Sequence, residues 1–461
     1  MDVQDKLDIL AEAAKYDAAC TSSGVTRAPR RGMLGATSAA GCCHTFTPDG
    51  RCITLLKVLM SNACSYDCAY CVNRSSASCR RATFTPRELA ELTVDFYKRN
   101  YIEGLFLSSG VMGTPDATTE RMIQCLTILR KELRFNGYIH AKVIPGTDPE
   151  LIDRLGRLAD RLSSNLELPS STSLQELCPQ KSARDVLSPM KQITQTRATE
   201  EQLLLSSGKD KRSQKALARR QGCSHAQEGL QLRSNGAELT LGRKSRIASS
   251  RRSFAPAGQS TQLIIGATPE SDNHILQLSH SLYAHYDIKR IFFSAYIPMM
   301  EDSRLPQTDT PVPLRREHRL YQADWLMRYY AFDPDELVTP QEPWLDLDLD
   351  PKLAWALRHI DRFPVEVMDA PLELLLRVPG IGPVGARRIL AARRTKSLGF
   401  DDLRKLNITL KRARPFLSCC GRRSREAPLD AELIRTEAVS NAKSSKYNRT
   451  RRQAEGQLSL F

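Results

Sequence analysis

Apolar, β-branched segments alternate with helical segments between residues 51 and 300, and this alternation restricts the fold more than any other feature. Strands are predicted at Ile53–Met60, Gly104–Ser108, Tyr138–Ile144, Ser163–Leu168, Gln262–Gly266 and Arg290–Tyr296. Helices are predicted between them at Pro86–Arg99, Thr118–Arg134, Asp148–Ala159 and Glu270–Tyr286. Strands that alternate with helices form parallel β/α units. Six units are fewer than the eight of a closed barrel, so we expect an α/β fold, an open partial (β/α)6 TIM-like barrel.

The rest of the chain divides by composition. Residues 1–50 are predicted to form an N-terminal extension that precedes the barrel at 51–300. Within the barrel, residues 192–257 are rich in Ser, Arg, Gln and Lys without apolar periodicity, which predicts a basic and largely disordered insertion. A Pro-rich, aromatic connector with helices is predicted at 301–360. An all-α domain follows at 361–421, and a basic flexible tail at 422–461.

The charge of the chain favours an anionic partner. Lys and Arg number 67 against 52 Asp and Glu, a formal net charge of +15, and the excess is concentrated in residues 191–256 and 377–453. Nucleic acid is the commonest polyanionic partner, although a solvated basic surface stays open as the alternative. The chain has no apolar run of about 18 residues and no secretion signal at its N-terminus, so we expect a cytoplasmic protein.

Three of the 13 cysteines are clustered directly after the first predicted strand, at Cys64, Cys68 and Cys71. A reducing cytoplasm disfavours a disulfide framework, so clustered cysteines indicate a metal. Three thiolates on one loop can ligate three irons of a cubane cluster and leave the fourth iron open. A zinc site usually takes four protein ligands, and the next cysteine, Cys79, is eight residues further on. The spacing therefore predicts an iron–sulfur cluster.

This cysteine loop, with the aromatic Tyr70 before its last cysteine, resembles the signature of the radical S-adenosylmethionine superfamily. The resemblance implies a [4Fe-4S] cluster whose unique iron binds S-adenosylmethionine, and an external electron donor such as a flavodoxin or ferredoxin. It implies one-electron cleavage of that cofactor to methionine and a 5′-deoxyadenosyl radical, while the protein orients the reactants and excludes water.

The resemblance also implies cofactor contacts at Tyr70 and at the end of the second strand. Superfamily members often carry a Gly-Gly-Glu-like turn there, whereas this chain has Ser108, Ser109 and Gly110, a departure from that pattern. Strand ends at Lys142, Glu167 and Ser294 are expected at the rim of the site, with no catalytic role assigned. Cys42, Cys43 and Cys52 fit no standard metal site, and their role stays open.

A second motif lies in the C-terminal basic region. An apolar segment ends at Pro379-Gly380-Ile381-Gly382, and a helix that contains Gly385, Arg387 and Arg388 follows. The turn resembles the helix-hairpin-helix module, which binds the DNA backbone without sequence specificity. Glycines allow the backbone to approach a phosphate, and N–H groups at the next helix N-terminus can bind it. A plain helical hairpin is the alternative.

The chain stops at Gln457-Leu458-Ser459-Leu460-Phe461. This peptide is similar to the motif by which bacterial polymerases and repair factors bind the sliding clamp. In that motif Gln457 would donate and accept hydrogen bonds, while Leu458, Leu460 and Phe461 would fill an apolar pocket. We therefore expect the clamp as a further partner, with an ordinary amphipathic terminus as the alternative.

The combination of motifs resembles a bacterial family of DNA modification/repair radical S-adenosylmethionine proteins. Four segments carry this resemblance: residues 104–110, 137–146, 256–262 and 316–325. It implies an enzyme that repairs a lesion or modifies a base or sugar of DNA, with the substrate undefined. Two alternatives stay open, an RNA-modifying enzyme of the same superfamily and a non-catalytic iron–sulfur scaffold that binds DNA.

Overall fold

Two compact units make up the part of the chain that the structure describes. The structure is a computed structural model, and it describes residues 1–14, 55–206, 253–424 and 427–444. The first unit contains residues 1–14, 55–206, 253–270 and 281–313. The second unit contains residues 271–280, 314–424 and 427–444.

A six-stranded parallel sheet forms the centre of the first unit. Its strands follow one another in chain order, β1 to β6, and every neighbouring pair is parallel. They are β1 (Leu55–Leu59), β2 (Gly104–Ser108), β3 (Tyr138–Lys142), β4 (Arg161–Ser163), β5 (Gln259–Ile265) and β6 (Ile288–Ala295). A parallel sheet with strands in sequential order and helices on the connections is the partial (β/α)6 barrel predicted from the sequence, and the fold class is confirmed.

Helices connect these strands, and several begin at the predicted signals. They are α1 (Val3–Ala13), α2 (Pro86–Lys98), α3 (Pro115–Thr127), α4 (Pro149–Leu158), α5 (Ser171–Leu177), α6 (Ala183–Ser206) and α7 (Asp272–His285). Thr85 caps α2 in a reciprocal arrangement with Glu88, and Asp148 caps α4. Proline is the first residue of both helices, where its missing N–H costs no hydrogen bond.

The N-terminal helix α1 packs on the barrel. Leu7 and Leu10 are buried in the same apolar cluster as Leu56 of β1. The ammonium of Lys6 lies 2.8 Å from the carboxylate of Glu88 on α2. The first 14 residues, which begin the predicted N-terminal extension, therefore pack as part of the barrel unit.

The structure differs from two further expectations in this unit. The fourth strand is Arg161–Ser163, not Ser163–Leu168. Residues 164–168 are buried like a strand, but Glu167 has a left-handed backbone (φ +62°) that interrupts the extended conformation. Helix α6 extends to Ser206, inside the segment predicted as an insertion from residue 192. Phe254 is buried near the other end of that segment, whereas residues 207–252 lie outside the described part.

The second unit is mostly helical, with one small sheet. Its helices are α8 (Leu314–Tyr330), α9 (Pro334–Leu337), α10 (Pro351–Arg358), α11 (Leu372–Arg377), α12 (Pro383–Ala392), α13 (Phe400–Lys405), α14 (Leu410–Ala413) and α15 (Ala431–Ser444). Its strands are β7 (Val365–Glu366), β8 (Leu417–Cys419) and β9 (Arg422–Arg423). Helices predicted for the connector at 301–360 therefore share one compact unit with the hairpin helices.

Helix length and composition bear on membrane insertion. Across the described ranges, no helix combines the length and apolar character needed to cross a bilayer.

Candidate active site

A cavity of about 260 Å³ lies at the carboxyl ends of the barrel strands. Residues from β2, β3, β5 and β6 line it together with the loop that follows β1. The lining includes every predicted cluster and cofactor residue: Cys64, Cys68, Tyr70, Cys71, Ser108, Ser109 and Gly110, and the predicted rim residues Lys142, Glu167 and Ser294. In parallel β/α folds the carboxyl ends of the strands carry the functional groups, so the location agrees with a catalytic cavity.

The loop that carries the three cysteines, residues 62–77 and hereafter the cysteine loop, is hydrogen-bonded to the end of β2. The N–H of Gly110 donates to the carbonyl of Ser61 at 2.7 Å, and the N–H of Val111 donates to Sγ of Cys64 at 3.3 Å. A β-carbon at position 110 would lie 3.1 Å from Cβ of Cys64. Glycine at position 110 therefore lets the turn after β2 approach the first cysteine closely.

A single arginine holds the cysteine loop from the other side. The guanidinium of Arg81 donates hydrogen bonds to four backbone carbonyls, those of Asn62 (2.5 Å), Asn73 (2.9 Å), Arg74 (2.6 Å) and Ala77 (2.9 Å). These carbonyls are not part of a regular strand or helix, so they need other hydrogen-bond donors. The planar, always charged guanidinium donates to all of them at once. Arg81 thereby fixes the backbone on both sides of the three cysteines.

A fourth cysteine contacts the loop. Sγ of Cys178, which follows helix α5, lies 2.7 Å from Sγ of Cys68, and both side chains are buried. With Cys178 as the donor, this hydrogen bond lowers the pKa of Cys68 to about 6 because it stabilises the thiolate. Burial instead raises the pKa of Cys71 to about 12.

Polar side chains line the same cavity as the cysteines. The ammonium of Lys142 lies 3.1 Å from Oε1 of Glu167, which also accepts a hydrogen bond from the amide of Asn165 at 3.1 Å. Lys181 donates to the hydroxyl of Tyr70 at 3.4 Å. Burial opposes the charge of Lys181, but the nearby thiolates and Glu167 outweigh it and raise its pKa. The cavity thus offers cationic and anionic groups for a zwitterionic ligand.

The cysteine sulfurs fit a cubane cluster better than a single metal ion. Within the described ranges, no group of three or more His, Cys, Asp and Glu side chains is arranged around one ion. Each cysteine of a cubane binds a different iron, so cluster ligands are spaced more widely than those of a mononuclear site. Backbone N–H groups of Tyr66 and Val111 point at Sγ of Cys64, and such bonds stabilise a cluster thiolate.

The predicted hairpin turn connects α11 and α12 in the second unit. Gly380 has φ +86°, and a β-carbon there would lie 2.7 Å from the carbonyl oxygen of Thr409, so the turn requires glycine. Ile381 is buried, and Gly382 is the N-cap of α12, whose N-terminus has no side-chain hydrogen-bond cap in the described structure. Pro379 is buried, Gly385 is half-buried, and Arg387 and Arg388 are exposed.

Arg393, which adds to the charge of the hairpin sequence, donates to the carbonyls of Val367 and Ala370 and is half-buried. Cys42, Cys43 and Cys52 lie outside the described residues, and so do Gln457, Leu458, Leu460 and Phe461.

Sequence reasoning missed three residues of the cavity and its loop, namely Arg81, Cys178 and Lys181. Cys178 is 107 positions beyond Cys71 and shares no motif with it, so the sequence gives no reason to place it at the loop. Lys181 and Arg81 are two of the 67 Lys and Arg residues, and nothing in their local sequence separates them from the rest. Only the fold brings these side chains to the cysteine loop.

The cysteine loop and the barrel also match a known family. Residues 58–196 match the sequence profile of the radical SAM superfamily, and this segment contains all three clustered cysteines. The match supports radical SAM superfamily membership for the segment that carries the cysteines. Proteins of this superfamily use a [4Fe-4S] cluster and S-adenosylmethionine, which confirms the two predicted cofactors. No curated protein matches the chain.

Solved structures resemble the chain only distantly. The FeFe-hydrogenase maturase HydG from Carboxydothermus hydrogenoformans is 11% identical, with a TM-score of 0.37 over 60% of this chain and 51% of its own. Methylornithine synthase (PylB) is 11% identical, with a TM-score of 0.36 over 60% of this chain and 61% of its own. The chain thus spans about half to three fifths of these proteins. Similarities of this size assign it neither an activity nor a substrate.

Proposed function

We propose that the protein is a radical SAM enzyme that acts on DNA, either to repair a lesion or to modify a base or sugar. Cys64, Cys68 and Cys71 would hold the cluster, since all three line the cavity at the carboxyl ends of the strands. When bound, the reduced cluster supplies the electron that cleaves S-adenosylmethionine to methionine and a 5′-deoxyadenosyl radical, which abstracts hydrogen from the substrate.

The chain's own residues would bind and orient S-adenosylmethionine. Ser108, Ser109 and Gly110 lie beside the cysteine loop and offer hydroxyl and backbone groups to its methionine part. Lys142 and Glu167 form an ion pair in the same cavity. Charged groups of both signs suit a ligand that carries both a positive and a negative charge. Apolar side chains, Ile264, Ile297 and Met299 among them, line the cavity as well and would exclude water from a reactive radical.

The observation that carries the DNA proposal is the hairpin turn and its charge. The tight turn at Gly380–Gly382 precedes the uncapped N-terminus of α12, where backbone N–H groups and the helix dipole favour a phosphate. Arg387 and Arg388 are exposed one turn further along α12. Such a surface binds phosphates without reading bases, so we expect affinity for DNA of any sequence and a strong salt dependence.

Cofactor cleavage tests the enzymatic half of the proposal. Full-length protein, reconstituted anaerobically with iron and sulfide and reduced, should convert S-adenosylmethionine to 5′-deoxyadenosine and methionine, measured by liquid chromatography and mass spectrometry. The Cys68→Ala variant should lose this activity, whereas Cys420→Ala, which changes an exposed cysteine of the second unit, should keep it. A wild-type protein with a full cluster that leaves the cofactor intact would favour the non-catalytic scaffold.

Binding to matched DNA and RNA duplexes tests the nucleic-acid half. The double variant Arg387→Glu/Arg388→Glu should weaken binding to DNA by about 10-fold or more at low salt. The double variant Arg99→Glu/Arg154→Glu, which reverses two exposed arginines of the barrel unit, serves as the charge-matched control and should bind almost as wild type. Tighter binding to RNA than to DNA would contradict the DNA assignment and favour RNA modification.

A further inference from the structure

Helix α8 presents an exposed pair of aromatic rings. The ring centroids of Trp325 and Tyr329, one helical turn apart, are separated by 4.2 Å, and their planes are inclined by 43°. Trp325 is 53% exposed, although large aromatic side chains usually bury most of their surface. The guanidinium of Arg328 lies 5.1 Å from the centre of the Tyr329 ring and 3.4 Å from the carboxylate of Asp324 on the same helix.

This aromatic pair adjoins the hairpin turn. Tyr330, which directly follows Tyr329, ends helix α8 and brings its hydroxyl to the hairpin turn. That hydroxyl lies against Gly382, since a β-carbon at position 382 would be 3.2 Å from it. The ammonium of Lys352 donates to the carbonyl of Ile381 at 2.5 Å and lies 4.6 Å from the centre of the Tyr330 ring. Tyr330 and Lys352 therefore place the C-terminal end of α8, which carries the Trp325–Tyr329 pair, beside the N-terminus of α12.

We infer that the Trp325–Tyr329 pair binds an unpaired nucleobase of the DNA strand whose phosphate lies at the N-terminus of α12; this inference rests on the proposed function. A base offers a free face for stacking only when it is single-stranded, mismatched or flipped, because paired bases are covered by their neighbours. Aromatic side chains next to phosphate-binding groups are the usual combination for single-stranded nucleic acid. The surface thus selects damaged or opened DNA over intact duplex.

Two linear DNA duplexes that differ by one inserted base separate this inference from the proposed function. One is fully paired and the other carries a single extrahelical base, and the affinity of the full-length protein for each is measured by fluorescence anisotropy. Wild-type protein should bind the second more tightly. Trp325→Ala should lose about 10- to 100-fold in affinity for that DNA, within the range found for one stacked base, and should bind the paired DNA almost as before. Trp325→Phe keeps a stacking ring and should retain most of the preference.

Trp344→Ala is the matched control, because Trp344 is also 53% exposed in the same unit and has Arg316 4.7 Å from its ring centre. It should bind both oligonucleotides as wild type does. Equal affinity of wild type for the two DNAs, or a Trp325→Ala variant that keeps the preference, overturns the inference and leaves the proposed function standing. Failure of wild type to bind either DNA overturns both.

Discussion

Sγ of Cys178 lies 2.7 Å from Sγ of Cys68, although 110 positions separate the two residues in the chain. A fourth thiol at this distance raises the question of which sulfurs hold the cluster. Cys178 is placed by helix α5 and not by the cysteine loop, and it contacts a single cysteine of the three. Its position suits a hydrogen-bond donor to a ligating thiolate, an interaction that tunes a cluster without holding it.

We therefore expect Cys178→Ala to retain the cluster. Reconstituted Cys178→Ala protein should contain about four irons per chain, as wild type does. Cys64→Ala, Cys68→Ala and Cys71→Ala should each lose most of that iron. Iron analysis together with electron paramagnetic resonance of the reduced protein measures the difference. Loss of iron in Cys178→Ala equal to that in Cys68→Ala would show that Cys178 is itself a ligand.

Replacement of Arg81 should loosen the cysteine loop. Arg81→Met leaves four backbone carbonyls without their charged donor, and each lost bond to a charged group costs on the order of 1 to 3 kcal/mol. We expect a lower midpoint of thermal unfolding and faster loss of iron to a chelator. Arg80→Met changes the neighbouring exposed arginine and should behave as wild type. Equal iron release by the two variants would contradict this role.

The hairpin turn should reject a side chain at Gly380. Gly380→Ala places a methyl group 2.7 Å from the carbonyl oxygen of Thr409 in a backbone with φ +86°. Gly421→Ala is the control for the backbone effect alone, because Gly421 has φ +72° with no atom within 4 Å of its β-carbon. The control should lose about 1 kcal/mol of unfolding free energy, and Gly380→Ala clearly more, together with DNA affinity. Denaturant titration of both variants makes the comparison.

Lys352 should make the second unit more stable as the pH rises. Burial lowers the pKa of this lysine from 10.5 to about 7. Between these values the unfolded chain holds a proton that the folded chain lacks, so the free energy of unfolding increases from pH 7 towards pH 10.5. Lys352→Met should reduce this increase by a few kcal/mol, measured by urea titration at pH 7 and pH 10. An unchanged slope with pH would refute the assignment.

The C-terminal peptide predicts a complex with the sliding clamp. Leu460→Ala/Phe461→Ala removes the two apolar side chains that would fill the clamp pocket and should abolish co-elution of the protein with purified clamp. Ser459→Ala changes the intervening small residue and should leave the complex intact. The hypothesis fails if the double variant still co-elutes with the clamp.

The parts of this protein that local sequence encodes are the parts that could be predicted. Start signals such as Thr85 before Pro86 act on adjacent residues, and the cysteine spacing lies within one loop, so both were visible without a structure. The fourth strand was predicted too late because Leu166 and Leu168 alternate with polar residues in the sequence, as in a strand, while the positive φ of Glu167 has no sequence signature. Cys178 acquires its role from a cysteine 110 positions away, and Arg81 from backbone carbonyls of a loop, and no periodicity reveals either contact.

Helix α1 has a consequence for handling the protein. Ala13, in its last turn, is part of the cavity wall, and its carbonyl accepts a hydrogen bond from Asn73 of the cysteine loop at 3.5 Å. A truncation that removes this helix would remove part of the cavity wall and give dioxygen direct access to an oxidisable cluster. Expression with the native first 14 residues intact is therefore a condition for preserving iron during purification.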